Sequence, residues 1–277
     1  MRPSEPDIPV PPWPEGTHWI GGPVAAMEAV TSRAPALVHF FDAAQLNSLR
    51  SLEYLRLLSE QYQPLGLRVY GVHTPRWPLT EGLEDATRAI ERLSLPHPVA
   101  LDLNRRIWSD YGCHGWPHVF VWRKGGLLAW SQLGEGDYGS LESALREVIT
   151  EATGEPEGGW PELLEPIRPS DRPGAALVAP SAEMLIGGSL ETPWSADREG
   201  AAIEATYQGA AAYASIGGVG KLSVTVDGSD TREMEVAGPE LVELASHGDS
   251  GAHTVVITPD QALEIYSLSF APGLAAK

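Results

Sequence analysis

The spacing of apolar residues changes once along this chain, near Thr150, and that change limits what it can fold into. Before it, short unbroken apolar runs alternate with stretches of helical spacing. After it, apolar residues fall at every second position between frequent turns. The first pattern builds a sheet with helices on its faces, and the second an all-β body. A chain of 277 residues with one such change divides into two domains. Between them, EATGEPEGGWPELLEPIRPSDRPGAALVAPS is crowded with Pro and Gly and keeps neither period. The expected boundaries are 1–152, a linker over 153–176 that drapes on a neighbouring domain through Trp160 and Leu163–Leu164, and 177–277.

Ala36–Phe41 and Leu67–His73 are continuous apolar runs, as strands covered on both faces should be. Leu46–Tyr62 carries leucines at 46, 49, 52, 55 and 58, a helical stripe. Thr80 is the expected N-cap of a helix that turns Leu83, Ala86, Ile90 and Leu93 inward. Val99–Leu101 predicts a strand, Asn104–Tyr111 a helix, and His118–Trp122 with Leu127–Leu133 a hairpin around Arg123-Lys124-Gly125-Gly126. Ser140–Ile149 closes the order β-α-β-α-β-α-β-β-α. Beyond the linker, Leu222, Val224 and Val226 share one strand face, and Asp227-Gly228 follows as a tight turn. Met234 and Val236, Val255 and Ile257, then Tyr266, Leu268 and Phe270 continue the alternation, which predicts a β-sandwich.

Charge narrows the partners. The net charge is −18. Residues up to 152 hold 13 basic and 18 acidic groups, and the remainder 6 and 19. So acidic a surface opposes nucleic-acid binding, and the sandwich favours cationic partners. No apolar run approaches the ~20 residues of a membrane span. Met1–Pro14 lacks the basic-then-apolar order of a secretory signal, so a cytoplasmic location is expected. The only cysteine, Cys113, excludes an internal disulfide or a thiol pair.

Five stretches carry a resemblance: LVHFFDAAQLNSLRSLEYLR (Leu37–Arg56), LRVYGVHTP (Leu67–Pro75), HPVALDLNRRIWSDYG (His97–Gly112), GWPHVFVWRKGG (Gly115–Gly126) and GEGDY (Gly134–Tyr138). In this order and spacing they resemble thioredoxin-fold proteins of the TlpA-like and DipZ-type group. The second half is similar to the β-sandwich, a carbohydrate-binding-like module, that follows the thioredoxin-like domain in DipZ-type proteins. There the matching pieces are SAEMLIGG, VTVDG, MEVAGPELVEL and EIYSLSF.

The resemblance implies a CxxC motif where the first long helix begins, since a helix N-terminus lowers the first thiol's pKa. In this chain the motif falls on Gln45-Leu46-Asn47-Ser48. Neither an amide nor a hydroxyl exchanges disulfides, so dithiol oxidoreductase activity is not expected. The position of the family's buried acid, six residues earlier, is His39. It is open to two readings: a core histidine bonded to a backbone carbonyl, or part of a retuned polar pocket with Gln45 and Ser48. Trp116-Pro117 resembles the family's cis-proline turn, beside which relatives pair an extended substrate segment. The expected binding groove is His39, Gln45, Ser48, Cys113, Trp116 and Pro117, with a protein or peptide as partner.

Two enzyme-like alternatives are weighed beside this. Cys113, flanked by His114 and His118, is the sole candidate for single-cysteine thiol chemistry, although its loop setting is not a helix N-terminus. Cys113, His114 and His118 are also the only closely spaced metal-ligand types; adjacent loop residues rarely aim at one ion, so neither metal nor cofactor is expected. His73, in GVHTP, matches a family residue and needs no special role. On the sandwich, Trp194, Tyr207 and Tyr213 are the rings that could stack on carbohydrate, with Tyr207 and Tyr213 expected in the core. A protein partner is the alternative there.

Overall fold

A computed structural model describes residues 7–154 and 159–275, so part of the expected linker, 155–158, lies outside the described residues. The chain forms two compact units. The first takes in residues up to Asp42, Asn47–Pro75 and Ile90–Glu165. The second takes in Ala43–Leu46, Arg76–Ala89 and the chain from Pro166 onward.

The first unit is a six-stranded mixed sheet with helices. Its strands are β1 (His18–Ile20), β2 (Ala36–Phe41), β3 (Arg68–His73), β4 (Val99–Leu101), β5 (His118–Trp122) and β6 (Leu128–Leu133), in the order β1-β4-β3-β2-β5-β6. β2 runs parallel to β3 and antiparallel to β5, and β3 is parallel to β4. Along the chain the helices are α1 (Met27–Thr31), α2 (Leu46–Tyr62), α3 (Leu83–Leu93), α4 (Arg106–Asp110) and α5 (Tyr138–Thr153); Leu46 of α2 and α3 as far as Ala89 belong to the second unit.

β1 and α1 escape the apolar pattern because each is too short to repeat one. Thr80 ends a 3₁₀ turn, Pro78–Thr80, and does not cap α3. The proline there favours the turn and delays the helix to Leu83, whose side chain stays exposed while Ala86 and Ile90 are buried. α4 starts later than expected because Arg105 sits at φ 58°, a left-handed conformation that a helix cannot include.

The expected linker is fastened at its start. Glu142 of α5 is 2% exposed. Its carboxylate accepts from Tyr62 Oη at 2.6 Å and from Leu164 N at 3.0 Å. Arg146 Nε donates to Tyr62 Oη at 2.8 Å, and its guanidinium lies over the rings of Tyr62 and Trp160. Trp160 and the Leu164 backbone therefore lie on the first unit, whereas the Leu163 side chain points outward.

The second unit is all β apart from its two short inserts, Ala43–Leu46 and Arg76–Ala89. Its strands are β7 (Leu177–Val178), β8 (Met184–Leu185), β9 (Trp194–Ser195), β10 (Ile203–Gly217), β11 (Gly220–Val226), β12 (Arg232–Val236), β13 (Glu240–Pro259), β14 (Glu264–Ala271) and β15 (Gly273–Ala275). The main path of this sheet is β12-β11-β13-β10-β14-β8. Two of these strands are far longer than alternation suggests, because both change register. On β10 the inward residues are odd at Ala205 and Tyr207 but even at Ala212, Ala214 and Ile216. The register shift between Gly209 and Ala211 lies where this parity changes, and that between Ala212 and Tyr213 lies where the inward residues of β13 pass from Leu244 to Ala245. A turn follows β11 at Asp227-Gly228, both residues at positive φ, as a tight hairpin requires.

The inserts are part of this unit's packing. Ser215 Oγ donates to Ala44 O at 2.8 Å, and Arg76 makes two bonds to the Glu183 carboxylate, at 3.0 and 2.6 Å. Ala44, Trp77, Leu79 and Tyr266 form one apolar cluster.

Replacing Glu142 by Ala is expected to lower stability by about 1–3 kcal/mol, because Tyr62 Oη and Leu164 N lose a charged acceptor. Urea unfolding measures the loss, and Trp160 fluorescence should shift to the red as the linker lifts.

Candidate functional site

β2 is central, and its alternation sorts the candidate residues onto opposite faces. Val38 and Phe40 pack with Tyr111, Cys113 and Phe120. His39 points the other way. The structure therefore does not bring His39 and Cys113 into one groove, because residues one apart on a strand cannot share a face.

His39 is fully buried, and its Nε2 lies 2.8 Å from Nε2 of His97. His97 Nδ1 is 3.2 Å from Ser59 Oγ on α2, which accepts from Gln63 Nε2 at 2.5 Å. No backbone carbonyl is bonded to the His39 ring among the described residues; its Nδ1 is left without a partner. Gly71 makes room for this ring: a Cβ there would stand 3.2 Å from His39 and 3.1 Å from Phe41. Burial, then the neighbouring His97, holds His39 well below the usual histidine value. Burial likewise brings His97 down to about 4. His97, Ser59 and Gln63 carry no motif of their own; only the fold reveals that they extend from His39.

At the former motif, Ser48 is fully buried and its Oγ accepts from Asp42 N at 3.2 Å, closing the start of α2. Gln45 belongs to the second unit with the rest of Ala43–Leu46 and is half-buried.

The Trp116–Pro117 peptide is cis. Pro117 is buried, and its carbonyl accepts from Gly134 N at 2.8 Å. The half-buried Trp116 ring is held from three directions. Its Nε1 donates to Thr74 O at 2.9 Å, Trp108 stacks on it at 4.2 Å, and the Arg105 guanidinium lies 5.5 Å from its centre. Trp108 and Arg105 went unnoticed in sequence because a ring stack between a helix and a loop leaves no spacing signal. Asp102 gave a faint one, an acid just ahead of α4. Its carboxylate accepts from Ile107 N and Trp108 N, which fixes the base of the stack.

Cys113 is 6% exposed and lies inside the apolar cluster. Burial pushes its thiol far above the ordinary range, the opposite of what a thiolate nucleophile needs. His118 is buried and stacked on Phe120, and its pKa is lowered to about 4 by burial and then by His114. His114 is exposed. Among the described residues no group of three or more His, Cys, Asp or Glu side chains is placed to hold a metal ion, Cys113, His114 and His118 included. No helix among the described residues is long and apolar enough to cross a membrane.

Three parallel strands, an antiparallel return through a cis-proline and a helix starting at the former motif define a thioredoxin-fold protein whose reactive dithiol is absent. Residues 191–271 match the family described as thioredoxin-like C-terminal domain. Over 270 residues the chain is 25% identical to Protein DipZ of Mycobacterium tuberculosis, covering 84% of this chain and 38% of that protein. NHL repeat-containing protein 2 of Homo sapiens is 27% identical over 135 residues, 48% of this chain and 18% of the relative. A solved thiol-disulfide isomerase from Corynebacterium glutamicum has 15% identity and a TM-score of 0.45, covering 53% of this chain and 97% of that one. The chain is thus similar to the DipZ proteins over most of its length and holds no CxxC pair. It spans about two fifths of their length.

Two outcomes test this site. Unfolded histidines protonate near pH 6.5, whereas His39, His97 and His118 resist protonation when folded. The unfolded state therefore binds more protons below that pH, and stability falls as pH drops toward 4. Urea midpoints followed against pH should show this decline, and His97→Gln should make it shallower. Cys113 should resist maleimide labelling in the folded protein at neutral pH and label fully in denaturant.

Proposed function

We propose that this chain is a redox-inactive thioredoxin-fold binding or scaffold protein, which takes an extended segment of a protein partner beside the Trp116–Pro117 turn. The observation that carries this reading is a pairing of loss and retention. Both motif positions lack sulfur, at Gln45 and Ser48, while the cis-proline turn persists with its tryptophan buttressed by Trp108 and Arg105. A held aromatic ring beside a cis-proline turn suits peptide recognition, since aromatic anchors dominate binding energy. In this reading His39 and Ser48 shape the interior beneath the motif and do not touch the partner.

Single-cysteine chemistry at Cys113 is disfavoured by its burial and its raised thiol pKa. For the all-β unit we favour a protein partner over carbohydrate. Tyr207 is buried against Phe270, and Tyr213 and Trp194 are half-buried against apolar clusters, which leaves each ring little open face. A single buried cysteine also suits a reducing compartment, which supports a cytoplasmic location.

The purified chain should not accelerate insulin reduction beyond the rate set by dithiothreitol alone, and Cys113→Ser should change nothing in that assay. On an array of extended peptides it should capture a subset, and Trp116→Ala should weaken capture about tenfold or more. Insulin turnover that Cys113→Ser abolishes would overturn the proposal, as would peptide capture indifferent to Trp116.

A further inference from the structure

The second unit carries a titratable cluster that the thioredoxin-like site does not use. β13 pairs with β10 through Ser246↔Ala211 and again through Gly251↔Gly209. Residues 247–250 therefore form an excursion on β13 opposite Ala210 alone, with Gly248 at φ 80° at its turn. Asp249 and Ser250 of this excursion pair in parallel with Leu274 and Ala275 of β15, which in turn pairs with β7.

His247 begins the excursion, and His253 stands in the ladder just beyond its return, opposite Tyr207. The rings of His247 and His253 are stacked with centres 3.5 Å apart and planes 3° from parallel. His253 Nδ1 lies 2.7 Å from Asp227 Oδ2, at the turn after β11, and Asp227 Oδ1 accepts from Thr254 N at 2.8 Å. His247 Nε2 lies 2.7 Å from Tyr207 Oη on β10, and Tyr207 is stacked in turn on Phe270 of β14. Gly251 gives the stack its space, since a Cβ there would stand 2.8 Å from His253 Nε2. Parallel rings direct their in-plane lone pairs side by side and not toward one point, so the pair is a poor metal chelate.

We propose that the His247–His253 stack is a proton-operated clasp on the 247–250 excursion, closed with at most one proton on the pair and opened by a second. The groups facing the pair decide this. Among the described residues Asp227 is its one close carboxylate partner, and the Thr254 N–H followed by His253 holds its carboxyl below the ordinary range, so a single negative charge offsets a single proton. Asp249, in the excursion itself, is exposed and turned to solvent. Tyr207 stays neutral, since burial raises its hydroxyl to about 12. A second proton has no counter-charge: it places two cations in ring contact and forces Tyr207 from donor to acceptor toward His247. Burial and then His253 already lower the His247 pKa, in the same sense. Opening the clasp frees the excursion and removes the pairing that holds β15.

Hydrogen exchange tests this on the full chain. Protection at Gly248, Asp249, Ser250 and Leu274, corrected for intrinsic rates, should fall about tenfold between about pH 7 and about pH 5, the scale of one pKa unit of coupling. Protection in β11 should hold over the same range. His247→Phe keeps a ring to stack but cannot take the proton, so its protection should not change with pH. Should that variant fail to fold, the imidazole proton resonances of the unmodified protein decide the matter: the clasp requires two separated protonation steps for the pair. Protection independent of pH, the same pH response in His247→Phe, or two independent unshifted titrations would overturn the proposal.

Discussion

β2 is covered on both faces and hydrogen-bonded along both edges, to β3 in parallel and to β5 in antiparallel sense. Every residue of Ala36–Phe41 is buried, so its alternation cannot slip without exposing one apolar set and burying another against the wrong layer. This one strand places His39 on the face that α2 covers, and Phe40 on the face that holds Cys113. It also carries the chain to the former motif, so the start of α2 and the cis-proline turn inherit their positions from it.

From that constraint the chemistry follows. A thiolate requires water or positive charge nearby, and Cys113 has an apolar cluster instead. The two motif positions hold groups that neither give nor accept electrons near neutral pH. The polar groups that remain in the first unit are spent on order. Ser48 closes a helix start, Asp102 fixes the base of an aromatic stack, and Glu142 ties the linker to α2 and α5.

Much of this architecture is legible along the chain. Ala36–Phe41, Leu46–Tyr62, Val99–Leu101 and His118–Trp122 stand where apolar spacing places them, because each is long enough or buried enough to impose its period. Elements that escaped detection have identifiable reasons. β1 and α1 are too short to repeat a pattern. β10 and β13 invert their inward parity at register shifts, so a reader following alternation sees two short strands where one long bent strand exists. The linker keeps no period, and its drape through Trp160 and the Leu164 backbone rests on Glu142 and Arg146, the former an acid whose burial only its tertiary partners make tolerable.

By its order of residues the chain determined the absence of a thiol pair, the change of apolar period near Thr150 and the place of the Trp116-Pro117 step, because these depend on which residues are present and on local period. Only the folded state decided that His39 meets His97, that Cys113 is sealed from water, that Trp116 is braced by Trp108 and Arg105, and that His247 lies on His253. Those depend on contacts between residues far apart in sequence or separated by an irregular turn. Burial and neighbouring charge, which set the chemistry of a side chain, do not exist until the chain has closed around it.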